Sequence, residues 1–288
     1  GCVLAGIICL GRAFYFYFTA QQDYFFYEDL SYFMHPSYFS MYVNLAVFFI
    51  LRDFFRRESG HKTWNMFLFI FLTLIIFLLS SKLGIISYFL LSGLFLFIEL
   101  FRRKKHLLLA AIFGLGIAGF FSVYTFSSTM RTRFDYMFSA VNSESINKAD
   151  QESSAVRVLI WGEAKKIIAQ NLLIGVSPGD ANDRLYKAYE ENGITGALQN
   201  KLNAHNQYFQ TFIGLGLAGF LLLISQFIFP FIHAVRQGKT MYMLFILLIV
   251  MNLLVESMFQ TQAGVLFYAF FNSLFLFHTE TGPEGRLI

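Results

Sequence analysis

Only two cysteines occur among the 288 residues, and 14 % of the chain is charged. Cys2 and Cys9 lie seven positions apart on what reads as one helix. That separates them by roughly 10 Å, too far for a disulfide, so they read as small apolar packing residues. No pair has the C-x-x-C spacing, which removes a metal centre built on cysteine. There is no H-E-x-x-H, no Walker loop and, in the long polar segment, no D-x-D. Their absence argues against zinc proteolysis, ATP use and a metal-held nucleotide sugar. The net charge of +4 is small and carries no nucleic-acid signal. No internal repeat or low-complexity linker is visible. The first residue is not Met and already lies in an apolar run. This predicts a fragment with earlier spans missing, and no targeting segment can be judged.

What the chain has in abundance is apolar surface: 56 % hydrophobic residues, with 38 phenylalanines. A soluble domain of this length could not bury so much. The apolar residues come in runs of about 20, the length that crosses a bilayer as a helix, and lipid satisfies no backbone groups outside a helix. The expectation is therefore an all-α, polytopic transmembrane protein. About eight spans are predicted, over 1–18, 38–51, 64–79, 85–101, 107–126, 207–232, 241–255 and 264–277, with Gly84 breaking the chain between the third and fourth. The implied division is 1–126 as transmembrane helices, 127–206 as one large, partly helical loop, and 207–288 as further transmembrane helices with a tail.

Alternate loops carry the basic clusters at 52–62, 102–105 and 236–239, whereas Lys82, Glu256 and the long polar segment fall on the other side. Lys and Arg concentrate in cytoplasmic loops. The clusters are thus expected inside the cell and the long loop outside it. Within that loop, Ser154 to Gln170 reads as a helix capped by Ser154, with Val158, Leu159, Ile167 and Ile168 as its apolar positions. Arg157 and Trp161 are four apart and share a face. Pro178-Gly179-Asp180 predicts a turn, with Asp180 capping a helix that Gly193 ends.

Charges in the membrane zone are costly and by default mark function. Arg12 and Lys82 lie near span ends, and Arg131, Arg133 and Arg157 lie in the adjoining loop. Converging cations suit a phosphorylated ligand, since a guanidinium fork matches phosphate oxygens. The alternatives stay open: snorkelling for Arg12 and Lys82, a solvated or headgroup-binding face for Arg131 and Arg133, a structural ion pair for Arg157. His205 is the one histidine of the large loop and could accept a proton near neutral pH, or it could be a surface or capping residue. Asn206 follows it. His35, before Pro36, is a second outer histidine or an interfacial loop residue. Glu99 and Glu256, at span ends, read as pairing or capping residues rather than catalytic ones.

Taken together, Arg157-Val158-Leu159-Ile160-Trp161, the Pro178-Gly179 turn, His205-Asn206-Gln207-Tyr208-Phe209-Gln210 and Gly214-Leu215-Gly216-Leu217-Ala218-Gly219 resemble the O-antigen ligase family. That family includes related O-antigen polymerases and bacterial protein O-oligosaccharyltransferases. Ser81-Lys82-Leu83-Gly84 is similar to its Ser-Arg-Gly segment, with Lys for the usual Arg. His35-Pro36-Ser37-Tyr38 is similar to its His-Pro-Asn-Tyr, with Ser37 for Asn.

The resemblance implies a type C glycosyltransferase-like membrane fold. It implies transfer of a glycan, at the periplasmic face of the bacterial inner membrane, from an undecaprenyl-diphosphate-linked donor to a hydroxyl of lipid A core, of another glycan or of a protein. Cofactor and metal would be unnecessary, and membrane lipids, not nucleic acid, would be the other partners. His205 and Arg157 would be catalytic, and Lys82, Arg131, Arg133, Asn206, Trp161, Arg12 and His35 would bind substrate. A transporter or flippase for an anionic lipid-linked sugar is the alternative from another class, and a structural membrane subunit is a third.

Overall fold

In a computed structural model, residues 1–55, 61–112, 114, 125, 148–149 and 154–277 of the chain are described. Every regular element among them is helical. In chain order these are α1 (Cys2–Ala20), α2 (Tyr27–Leu30), α3 (Pro36–Phe55), α4 (Lys62–Leu78), α5 (Lys82–Arg102), α6 (Ser154–Gln170), α7 (Ala181–Glu191), α8 (Thr195–Gln199), α9 (Gln207–Arg236), α10 (Thr240–Leu253) and α11 (Gln262–Phe277), with a 3₁₀ turn at Met258–Gln260.

Four helices are long and apolar enough to cross a membrane: α1, α3, α5 and α9, of 19, 20, 21 and 30 residues. Three more apolar helices are shorter: α4, α10 and α11. All seven fall where the hydrophobic runs predict spans. Most of the span expected at 107–126 lies outside the described residues, as do Arg131 and Arg133.

The chain forms two compact units. One comprises Gly1–Glu99, Phe227–Asn252 and the chain from Met258; the other comprises Leu100–Gln226 and Leu253–Ser257. In the first unit α3 packs on α4, and both contact α1. Phe48, Met41, Leu45, Leu72, Ile75 and Ile76 are fully buried there. Pro36 occupies the first turn of α3, where a missing N–H costs nothing, and His35 Nδ1 accepts the Ser37 N–H at 3.3 Å. Tyr42 stacks on Phe267 at 4.3 Å between ring centroids. Lys239 donates to the last carbonyls of α11, those of Phe275 and Leu276, at 3.4 and 3.2 Å, the end of a helix that favours a cation.

The chain turns between α4 and α5 at Ser80, in left-handed backbone at φ 50, and not at Gly84. Gly84 lies in the first turn of α5, and its lack of a side chain serves proximity. A Cβ there would stand 2.4 Å from Ser40 Oγ. The close approach lets Asn44 donate at once to the Ser40 and Gly84 carbonyls, at 2.9 and 3.0 Å, tying α3 to α5.

In the second unit α6, α7, α8 and the head of α9 enclose one apolar core. It contains Val156, Ile160, Ala164 and Ile167 of α6, Leu185 and Tyr189 of α7, Ala197 of α8 and Ile213 of α9. The buried stripe of α6 thus runs at intervals of three and four through Ile160, and Val158 is 47 % exposed. Of the expected apolar positions, Ile167 lies in this core and Leu159 and Ile168 pack against it, whereas Val158, which looks as apolar as Leu159 in sequence, faces outward. Asp180 does hold the capping position of α7 but makes no side-chain bond there. Instead Ser177 Oγ accepts the Gly179 N–H at 3.2 Å. The helix ends at Gly193 as expected, with Ile194 N–H bonded back to the Tyr189 carbonyl at 2.8 Å, the Schellman pattern.

Candidate functional site

The long helix α9 is interrupted inside its glycine-rich run: Gly216 adopts φ 61, ψ −159. Only glycine occupies that region readily. A Cβ at 216 would also stand 2.4 Å from the Leu173 carbonyl oxygen. The segment after α6 uses the gap. Val176 N–H donates to the Ile213 carbonyl at 2.8 Å, Ser177 N–H to that of Gly214 at 3.0 Å, and Leu217 N–H to the Leu172 carbonyl at 2.9 Å. These bonds satisfy backbone groups that the broken ladder would leave bare, which an apolar surrounding demands. They also clamp the C-terminal end of α6 alongside α9, while its N-terminal end carries Arg157 and Trp161.

The head of α9 is built on short side-chain bonds. Trp161 Nε1 donates to the Ala204 carbonyl at 2.9 Å, and Gln210 Oε1 accepts the Ala204 N–H at 3.1 Å. Asn203 Oδ1 accepts the His205 N–H at 2.9 Å. Between these fixed neighbours His205 takes up left-handed backbone, φ 42, a conformation uncommon outside glycine but one in which His is enriched. Asn206 Oδ1 caps α9 by accepting the Phe209 N–H at 3.1 Å. Its Nδ2 donates to the Leu254 carbonyl at 3.0 Å and its backbone N–H to Ser257 Oγ at 3.3 Å. Asn206 therefore holds residues 254–257 against the start of α9.

That grip delivers Glu256. Its carboxylate has Oε1 3.6 Å from Arg157 Nη2 and Oε2 3.6 Å from His205 Nδ1. The three side chains are 11 %, 27 % and 23 % exposed, in the order Glu256, Arg157, His205. Both separations exceed hydrogen-bond length but lie within ion-pair range, and the poor solvation strengthens the attraction. His205 Nδ1 is buried and has no hydrogen-bond partner among the described residues. A carboxylate facing Nδ1 favours the tautomer with its proton there, which leaves Nε2 as the lone-pair nitrogen.

Sequence reasoning named Arg157, Trp161, His205 and Asn206 as site residues, and the structure brings all four into this cluster. It read Glu256 as a pairing or capping residue. Its partners are Arg157 and His205, and the only signal in the sequence was an acid at a span end on the side assigned to the long loop. Tyr189, in the apolar core of the same unit, has no hydrogen-bond partner for its hydroxyl among the described residues. Burial, with Tyr186 and Glu163 nearby, pushes its phenol well above the ordinary tyrosine range.

Of the other expected site residues, Arg12, His35 and Lys82 belong to the first unit, and Arg131 and Arg133 lie outside the described residues. Arg12 Nη1 donates to the Asp29 carbonyl at 2.7 Å, and its guanidinium lies 5.4, 4.9 and 5.0 Å from the ring centroids of Phe16, Tyr24 and Tyr32. His35 Nε2 is 3.6 Å from Glu28 Oε1, and both line an open hollow of about 380 Å³. Lys82 is the exposed first residue of α5.

Residues 67–224, more than half of the chain, match a family model described as O-antigen ligase. The match takes in Lys82, Arg157, Trp161, His205 and Asn206 and stops short of Glu256. No curated protein matches the chain. Helices fit to cross a membrane, and a family match that runs through the loop and into α9, establish that this chain belongs to the O-antigen ligase family.

Proposed function

We propose that the chain is a membrane glycosyltransferase that moves a glycan from undecaprenyl diphosphate to an acceptor hydroxyl, at the outer face of a bacterial inner membrane. The acceptor is lipid A core, another glycan or a protein. The observation that carries the proposal is the single carboxylate of Glu256 set 3.6 Å from both Arg157 and His205.

The acceptor oxygen attacks the anomeric carbon as the bond from that carbon to the diphosphate oxygen breaks. The acceptor proton passes to His205 Nε2, and Glu256 opposite Nδ1 offsets the positive charge that the imidazole gains. The departing diphosphate accumulates negative charge, which Arg157 stabilises, with Arg131 and Arg133 of the long polar segment as further donors. Diphosphate leaves without protonation, so the reaction draws on no nucleotide. Arginines supply the neutralisation, so the proposal requires no metal. Attack opposite the leaving group inverts the anomeric centre. Arg157 beside His205 and Glu256 supports a diphosphate ligand, and family membership supports the lipid-linked donor.

The test is transfer of labelled glycan from its polyprenyl diphosphate to acceptor by the purified chain, in chelator and without ATP. His205→Ala should lower turnover by about 10²–10⁴-fold, the span of general-base contributions, with donor binding retained. Unchanged transfer in that variant, or a strict need for a divalent cation, refutes the mechanism.

A further inference from the structure

The segment clamped onto α9 ends in a tip that the proposed chemistry leaves unused. Leu172, Leu173 and Ile174 are 49, 69 and 84 % exposed, and Gly175 N–H folds back to the Asn171 carbonyl at 3.0 Å to close the turn. Three adjacent aliphatic side chains standing out of a loop form the kind of patch that proteins keep for a partner or a membrane. The backbone bonds from Leu172, Val176 and Ser177 to residues 213–217 fix the level of this tip along α9.

From Phe212 to Ile232 that helix has no charged residue, and about 20 residues cross a hydrocarbon core of about 30 Å. Gln207, Gln210 and Thr211 precede the run. Residues 213–217 are therefore its first turn and a half, where acyl chains begin. Leu215 and Leu217 beside the tip are themselves 46 and 36 % exposed.

We infer that Leu172, Leu173 and Ile174 insert into the acyl-chain boundary of the monolayer that α9 enters at its Gln207 end. The occupant of the patch is phospholipid. The tip anchors the C-terminal end of α6 in lipid, and α6 carries Arg157 at its other end. Gln207, the first residue of α9 and six before Ile213, then stands about 9 Å along the helix from the first acyl carbons, and His205, two residues earlier, lies at headgroup height or just beyond it. The inference rests on α9 crossing the membrane and not on the glycosyl-transfer chemistry.

Nitroxide labels test it in the full chain, with Cys2→Ser and Cys9→Ala removing the native thiols, reconstituted in nanodiscs of phosphatidylethanolamine and phosphatidylglycerol. Labels go on Ile174→Cys and, separately, on Leu173→Cys, Lys187→Cys and Leu222→Cys. Each variant is accepted when it elutes as a single species with the parent's unfolding midpoint. Relaxation by oxygen should exceed relaxation by a water-soluble nickel chelate several-fold at 173, 174 and 222, with the order reversed at 187. Nickel relaxing 174 and 173 as strongly as 187, while 222 stays lipid-like, overturns the inference and leaves the span intact. Both agents excluded at 173 and 174 would mean a second protein copy covers the patch, which also overturns it. Nickel access at 222 would remove the membrane reading of α9 itself. If Ile174→Cys does not fold, Leu173→Cys carries the decision.

Discussion

Glu256 stands between a permanent cation and a group that gains charge only when it takes a proton. Replacing it with Gln keeps the shape and removes the charge, so the Glu256→Gln variant should bind donor normally yet transfer glycan about 100-fold more slowly. Glu256→Asp, which keeps the charge, should recover part of the rate. A variant that merely unsettled the loop would lose binding and rate together, and parallel measurement of the two separates these cases. Tyr189 makes the opposite point. Its hydroxyl is buried without a hydrogen-bond partner among the described residues, and such a group destabilises by about 1–3 kcal/mol. Tyr189→Phe should therefore raise the thermal unfolding midpoint by a few degrees and leave transfer unchanged. Arg157 and His205 could be picked out from the sequence because each is a rare residue type in its surroundings. Glu256 could not be linked to them. It arrives from the turn after α10, where the bonds from Asn206 to Leu254 and Ser257 hold it.

The break in α9 and the segment docked on it are one device, and two glycines of the second unit respond oppositely to a methyl group. Gly216→Ala places a Cβ 2.4 Å from the Leu173 carbonyl oxygen in backbone that alanine resists. It should destabilise the protein by about 2 kcal/mol or more. Gly162, in the middle of α6, has nothing within 4 Å of the corresponding position, and Gly162→Ala should stabilise by about 0.5–1 kcal/mol. Unfolding of both variants in one detergent checks the pair. Helix existence and type were readable in advance, because runs of apolar residues at membrane length admit little else. The interruption was not, since a glycine inside an apolar run is compatible with a continuous helix until a partner strand of backbone takes up the freed carbonyls. On α6 the outward position of Val158 was missed for a related reason. Val156, Ile160, Ala164 and Ile167 are buried only because α7 and α9 select that face from several apolar ones.

For the molecule as a whole, the basic clusters predict sidedness. A cysteine in place of Lys187 should react with a membrane-impermeant maleimide in intact cells, whereas one in place of Lys104 should react only after the membrane is opened. Labelling of both from outside would reverse the assignment of the long loop. The membrane character of the chain and its family were visible in composition and in a few motif residues. The pairing of distant segments was not, because composition carries no information on which turns meet.

One such pairing bears on when the protein becomes competent. Arg157 and His205 are both made well before the ribosome reaches position 256. Until the turn following α10 has been synthesised and has come back to Asn206, the nascent chain holds a cation and a base with no acid to join them. The proposed trio is thus assembled late, and a chain interrupted after Asn252 should retain the whole family-matched segment yet transfer no glycan.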